Sequence, residues 1–180
     1  IRRAGGTWPA VLTFKSGGFV AQILVLGVGN ILFTDEGIGV RCVEILQQQY
    51  RFSDNVTLMD GGTLGTKLMG PLMEADFVVV CDAVLGDGPP GSVYRLEGDD
   101  LRKSLAFRDS MHQTDLVDTL TMCGLAGKRP HAVVIGMEPA DYQTMAVELS
   151  AVAQAAMPTM VQAVLHEVAV AGGTFSPQAV

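Results

Sequence analysis

The chain has few cysteines and few basic residues, and both shortages limit what it can be. The three cysteines, Cys42, Cys81 and Cys123, are an odd number without C-x-x-C spacing, and each lies in an apolar pattern typical of a reduced core thiol. This usage predicts a cytoplasmic protein. Nineteen acidic residues outnumber 12 lysines and arginines, and the formal net charge of −7 repels nucleic acid and anionic membranes. We therefore expect no nucleic-acid or membrane partner.

Long apolar runs and the common hydrolase signatures are also missing. No run approaches the ~20 residues that span a bilayer, so we expect a soluble protein. There is no G-x-S-x-G turn, and the H-E pair at His166 lacks the second histidine of an H-E-x-x-H helix. Cys81 precedes Asp82 inside an apolar strand pattern, where burial favours a neutral thiol over a reactive thiolate. The sequence therefore disfavours a serine hydrolase, a zinc hydrolase of the H-E-x-x-H type and a thiol hydrolase.

Size and composition are typical of one globular domain with a sizeable core, because 48% of the 180 residues are apolar and 17% are charged. Residues 1–21 carry glycines and basic side chains with only short apolar patches between them, and we interpret them as an appended or disordered N-terminal segment. The domain is predicted over residues 22–173, and residues 174–180 are predicted to form a tail.

Short β-branched runs alternate with amphipathic stretches, which predicts an α/β fold. The expected architecture has three layers, an open twisted sheet that is mostly parallel with helices on both faces. The strand at 77–82 is continuously apolar and should lie in the middle of the sheet. The link at 83–91 is too short for a parallel crossover, so the next strand should be antiparallel or at an edge. Strands are predicted at 22–27, 56–60, 77–82, 92–96 and 132–137.

The ends of the helices are predicted from residues that cap or interrupt a helix. The second should be short or kinked because it contains Gly70 and Pro71. The third should begin after Thr114 and end before Gly124. The last should begin at Pro158, because proline is favoured in a first helical turn. The predicted ranges are 37–50, 66–73, 115–123 and 158–171.

The most informative stretch is the glycine-rich turn GVGNILFTDEGIGV at 27–40, which joins the first strand to the first helix. Glycines here can hold a nucleotide phosphate, but Leu32 occupies the place of the third glycine of that fingerprint. Asp35 and Glu36 add two negative charges that would repel a phosphate. A cation is the better candidate ligand, and the alternative is that both acids only cap the helix.

Two carboxylates and one imidazole are expected at the same edge of the sheet: Glu36 after the first strand, Asp82 at the end of the third, and His112 before the third helix. Oxygen and nitrogen ligands of this kind suit divalent nickel or zinc. The alternatives are that Asp82 caps a turn and that His112 is a solvated loop residue. The coincidence of all three at one edge favours a metal site.

Four segments in this order resemble the NiFe-hydrogenase maturation endopeptidases: GVGNILFTDEGIGV, DGGTLG at 60–65, VVVCDAV at 78–84 and SMHQTDL at 110–116. The resemblance covers roughly residues 22–171. It implies a cytoplasmic endopeptidase that removes the C-terminal extension of the hydrogenase large-subunit precursor after nickel insertion. It also implies that Glu36, Asp82 and His112 bind the metal and act in catalysis.

The same resemblance implies that Gly61, Gly62 and Thr63 receive the substrate tail and that Asp60 contributes to recognition of the precursor. Three ligands leave coordination positions open, so we expect nickel to be supplied by the substrate and no tightly bound metal. We expect a monomer. Two other functions stay open: a non-catalytic nickel-binding or nickel-delivery module that uses the same ligands, and a nucleotide-binding domain that uses Gly27 and Gly29.

Overall fold

A computed structural model describes residues 2–3, 20–63, 65–103 and 116–178. The strands among them are β1 (Arg2–Arg3), β2 (Ile23–Val28), β3 (Tyr50–Phe52), β4 (Val56–Gly62), β5 (Phe77–Ala83), β6 (Val93–Glu97), β7 (His131–Met137) and β8 (Phe175–Pro177). The α-helices are α1 (Ile38–Gln49), α2 (Met69–Glu74), α3 (Leu116–Leu125) and α4 (Ala151–Val170). Short 3₁₀ helices lie at Thr34–Gly37, Gly65–Leu68 and Gly98–Lys103.

The main sheet has the strand order β1-β6-β7-β5-β2-β4 in the described part of the chain. Strands β4, β2, β5 and β7 are parallel, whereas β6 is antiparallel to β7, as the short preceding link predicts. From β2 the chain goes outward to β4 and then returns to β5 on the other side. The order therefore reverses between β2 and β5, where open α/β sheets form a crevice at the carboxyl ends of the strands.

Helices cover both faces of this sheet, which confirms the three-layer α/β prediction. All seven residues of β5 are buried, because its side chains alternate between two cores. Its odd-numbered side chains, such as Val79, pack with helices α1 and α4. Its even-numbered apolar side chains, such as Val78 and Val80, pack with helices α2 and α3. This double burial places β5 in the middle of the fold, as predicted.

The last helix begins seven residues before the predicted start, so the prediction that Pro158 opens it is wrong. Helix α4 starts at Ala151, and Pro158 lies inside it. The side chain of Ser150 caps the true start by accepting a hydrogen bond from the Ala153 amide at 3.2 Å. Because proline has no N–H, Pro158 removes one backbone bond to Gln154 without ending this long, well-packed helix.

The predicted end of the third helix is also wrong, since α3 continues through Gly124 to Leu125. The glycine that ends it is Gly127, which has a φ of 105° and can adopt this left-handed conformation without strain. The amide of Lys128 then donates to the carbonyl of Cys123 at 3.0 Å. The predicted cap, Thr114, lies outside the described residues.

A second, two-stranded sheet was not predicted. Strand β3 pairs antiparallel with β8, so residues 175–177 of the predicted tail lie against residues 50–52. Tyr50, Phe52 and Phe175 pack together, with ring centroids 5.9–6.3 Å apart. The pattern of three residues on each side is too short to be recognised in the sequence. Among the described helices, none is long and apolar enough to cross a membrane.

Candidate active site

Two glycines allow the beginning of helix α1 to lie against the carboxyl ends of β2 and β5. A Cβ atom at Gly39 would overlap the carbonyl oxygens of Val28 and Cys81. A Cβ atom at Gly27 would lie 2.6 Å from the carbonyl oxygen of Gly39. Any larger residue would therefore push the helix away from the sheet. This close approach brings the turn before α1 to the point where the strand order reverses.

Glu36 lies in that turn, within the 3₁₀ helix that precedes α1. Its side chain is half-buried, and burial raises the pKa of its carboxyl group above the usual value. No hydrogen bond or ion pair joins the Glu36 carboxylate to another residue of the described part of the chain. A carboxylate that is desolvated and has no protein partner there is suited to bind a cation or to accept a proton.

Asp82 lies at the carboxyl end of β5, directly after Cys81, and it is almost fully buried. The 3₁₀ helix that carries Glu36 packs against β5. The structure therefore brings Glu36 and Asp82 to the same edge of the sheet, on either side of the crevice. The third predicted ligand, His112, lies outside the described residues. Within the ranges that are described, no three acidic, histidine or cysteine side chains form a metal cage, so the complete ligand set stays a prediction.

The predicted substrate-binding turn lies at the same edge, at the end of β4. The Asp60 carboxylate accepts a hydrogen bond from the Gly62 amide at 2.9 Å, and Gly62 has a φ of 46°. The Gly62 carbonyl accepts a bond from the Gly29 amide at 3.0 Å, which ties this turn to the glycine-rich turn. Asp60 and Thr63 are exposed, whereas Gly61 is buried against Leu26. Among the described strands, β4 is the outermost one on this side of the sheet, so its backbone groups are accessible to another chain.

The residue that sequence reasoning missed is Asp35, which is fully buried. Its carboxylate accepts bonds from the Ser150 amide and hydroxyl, both at 2.8 Å, and from the amides of Ala140 at 2.8 Å and Asp141 at 3.2 Å. The interpretation that Asp35 and Glu36 only cap the helix is wrong, because neither side chain caps α1. Asp35 instead holds the segment 138–150 against the site turn. No local signal shows this, because its partners are over 100 residues away.

The cysteine beside Asp82 is unsuited to act as a nucleophile. A hydrogen bond between the thiols of Cys81 and Cys42, together with burial, raises the pKa of Cys81 well above its usual value. Both cysteines are fully buried and free, as is Cys123. The prediction of reduced core thiols is therefore confirmed. His131 is the first residue of β7, and its Nε2 lies 3.0 Å from Glu97 Oε1. This pair lies at the amino ends of the parallel strands, whereas Glu36 lies at their carboxyl ends.

Known proteins are similar to this chain in sequence and in fold. A family model described as hydrogenase maturation protease (HycI) matches residues 40–167. The chain belongs to the hydrogenase maturation protease family. The matched range includes Asp82 and His112 and begins after Glu36.

Two relatives and one solved structure illustrate how similar this chain is to known members of the family. It is 42% identical over 124 residues to the hydrogenase expression/formation protein HupM of Azotobacter chroococcum mcd 1, covering 68% of this chain and 59% of that protein. It is 39% identical over 120 residues to the hydrogenase 2 maturation protease of Escherichia coli K12, covering 66% of this chain and 73% of that protein. The structure of the hydrogenase maturating endopeptidase HybD from E. coli is 34% identical with a TM-score of 0.80, and covers 87% of this chain and 98% of that one.

The matches to the curated relatives do not extend over their full length. The chain spans 59%, 55% and 60% of three of these proteins, from Azotobacter chroococcum, Thiocapsa roseopersicina and Azotobacter vinelandii. Membership of the hydrogenase maturation protease family is nevertheless shown, since the family model covers well over half of this chain.

Proposed function

We propose that this protein is an endopeptidase that removes the C-terminal extension of a NiFe-hydrogenase large-subunit precursor after nickel has been inserted. The observation that carries the proposal is the convergence of Glu36 and Asp82 at the switch point of a hydrogenase maturation protease fold, beside the exposed turn at Asp60. Family membership supports the proposed cleavage reaction, and the placement of the two carboxylates supports the proposed contact with nickel.

In this proposal the nickel belongs to the substrate. Glu36, Asp82 and His112 contact the nickel that the precursor already holds, so only a loaded precursor is held in position for cleavage. Carboxylates and imidazole are suitable ligands for nickel, and three protein ligands leave positions for those of the precursor. Recognition of the ion thus becomes a check that the metal centre is assembled.

One carboxylate also accepts a proton from the water that attacks the peptide carbonyl, and returns it to the departing amine as the C–N bond breaks. Glu36 is the better candidate for this role, because its carboxylate has no partner among the described residues. Asp82 is more deeply buried, which suits a fixed ligand.

The turn at 60–63 receives the C-terminal tail of the precursor. Strand β4 is the edge strand nearest the site, and an extended peptide can add to such an edge through backbone hydrogen bonds. Gly61 and Gly62 present no side chain that would hinder this approach. The exposed Asp60 carboxylate then lies next to the incoming chain and contributes to its recognition. The free, buried thiols support the further proposal of a cytoplasmic location.

The test is to incubate the protein with nickel-loaded and nickel-free precursor and to weigh the products by mass spectrometry. We expect loss of a C-terminal peptide from the loaded precursor alone. Glu36→Gln, Asp82→Asn and His112→Ala should each reduce the rate by at least about a hundredfold. Unchanged processing by these variants would overturn the assignment of the site. Nickel binding without truncation of any precursor would instead support the nickel-delivery module.

A further inference from the structure

Two loops beside Glu36 expose apolar side chains to solvent. Ile31 and Leu32, in the glycine-rich turn, have exposed fractions of 36% and 52%. Met145 and Val147, in the segment before α4, have exposed fractions of 75% and 55%. We call these four side chains the apolar platform. Isolated exposed apolar residues are common on protein surfaces, but a group of them beside a candidate site indicates an interaction surface.

The two halves of the apolar platform are joined by backbone contacts. Phe33 forms a parallel β-bridge with Ala146, and the Thr34 amide donates to the Ala146 carbonyl at 2.8 Å. The Thr34 hydroxyl donates to the Thr144 carbonyl at 2.8 Å. Arg41 donates to the Val147 carbonyl at 3.1 Å. These contacts fix the backbones of the two loops relative to each other before any partner arrives, so binding need not order the loops.

The apolar platform is continuous with the site turn. The Ile31 Cα lies 3.0 Å from the position of a Cβ on Gly37, which directly follows Glu36. The buried Asp35 connects the same turn to the segment that carries Met145 and Val147. The apolar platform therefore adjoins the turn that a substrate must reach.

Among the residues that the structure describes, the charge around the apolar platform is negative. Glu148 is exposed next to Val147. Asp141 lies in the same segment as Met145. Hydrogen bonds from Thr144 and Gln143 lower the pKa of Asp141, so its carboxylate is ionised at neutral pH. The positive charge of Arg41 is paired with Glu44 at 2.9 Å. A partner that complements this surface combines apolar side chains with basic ones.

We infer that the apolar platform is a docking surface for the hydrogenase large-subunit precursor, which covers it with an apolar segment flanked by basic side chains. The inference rests on the proposed function, because it assigns the partner from the reaction at Glu36. It also goes beyond it, since docking through the platform is separate from recognition of the metal. Docking outside the cleaved bond adds affinity and selects the right precursor without taking part in the chemistry.

The experiment compares two double variants in precursor cleavage and in direct precursor binding. Leu32→Ser with Met145→Ser removes half of the platform. The matched control is Met122→Ser with Leu125→Ser on α3, which changes the same residue types with exposed fractions of 41% and 85%. The control residues lie near the start of β7, at the opposite edge of the sheet. Thermal unfolding checks that both variants fold.

We expect the platform variant to raise KM and the dissociation constant about tenfold, with kcat changed less than about twofold, and the control to match the unsubstituted protein. Glu148→Lys should raise KM further than Glu148→Gln does. Equal KM and binding for the platform variant and the control would overturn the inference while leaving the protease function intact.

The measurement of precursor binding distinguishes failure of the inference from failure of the proposed function. If the unsubstituted protein binds the precursor without cutting it and the platform variant does not bind, docking stands and the protease function fails. If the unsubstituted protein neither binds nor cuts, both fail. A dimer in solution that dissociates only in the platform variant would show that a second copy covers the platform, which also overturns the inference.

Discussion

The hydroxyl of Ser150 donates to Asp35 Oδ2 at 2.8 Å and accepts from the Ala153 amide at 3.2 Å. One serine side chain thus links the turn that carries the candidate site to the first turn of helix α4. The Ser150 amide also donates to Asp35 Oδ1 at 2.8 Å. The buried acid beside Glu36 is therefore a structural junction, and its removal should affect both stability and the site.

Asp35→Ala should lower the free energy of unfolding by about 3 kcal/mol or more, because it removes a fully buried carboxylate that accepts four hydrogen bonds. Denaturant unfolding measures the change. Glu148→Gln is the control, since this exposed residue should change stability by less than about 0.5 kcal/mol. A similarly small effect of Asp35→Ala would show that the segment 138–150 does not depend on this carboxylate.

Ser150→Ala should lower the free energy of unfolding by about 1–2 kcal/mol, since it removes both the cap of α4 and a donor to Asp35. Ser150→Thr retains a hydroxyl and should recover most of this loss. The comparison of the two melting temperatures separates the role of the hydroxyl from that of the side-chain volume. An equal loss in both variants would contradict the assigned hydrogen bonds.

Gly39→Ala should lower the free energy of unfolding by about 2–3 kcal/mol and reduce precursor cleavage, because the added Cβ overlaps carbonyl oxygens of β2 and β5. Gly70→Ala is the matched control. A Cβ at Gly70 meets nothing within 4 Å, and alanine is the better helix former by up to about 1 kcal/mol. Thermal unfolding of both variants tests the expected opposite signs.

The pH dependence of stability should have opposite signs for Glu36 and Asp76. Burial raises the pKa of Glu36 in the folded state above 4.5, so its ionisation weakens folding as the pH rises through that pKa. Glu36→Gln should therefore be at least as stable as the unsubstituted protein at pH 7, and this advantage should vanish below about pH 4.

For Asp76, a hydrogen bond from the Gln22 amide and the nearby Lys128 ammonium lower the pKa of the carboxyl group. Its stabilising contribution is present above the unfolded pKa near 3.8 and is lost as the pH falls through the folded value. Asp76→Asn should therefore be less stable at pH 7 and equal to the unsubstituted protein in strong acid. Melting temperatures from pH 2 to pH 8 test both variants, and equal signs would contradict the assignment.

Much of the fold could be predicted because it depends on local patterns. The continuous apolar run of β5 predicts double burial, and the short link at 83–91 predicts the antiparallel β6. The positions of Glu36 and Asp82 follow from the rule that parallel strands end at one edge. Local signals were less reliable at helix ends. Pro158 and Gly124 were predicted as boundaries, whereas Ser150 caps the start of α4 and Gly127 follows the end of α3.

The sequence by itself determined the α/β class, the central strand, the edge at which the candidate site lies and the family, because each depends on patterns of residues that are close together in the chain or on the order of such patterns. Tertiary structure alone decided the role of Asp35, the pairing of β3 with β8 and the joining of the two loops in the apolar platform. These features bring together residues more than 100 positions apart. Such contacts are set by the packing of whole helices and strands, and no local pattern encodes them.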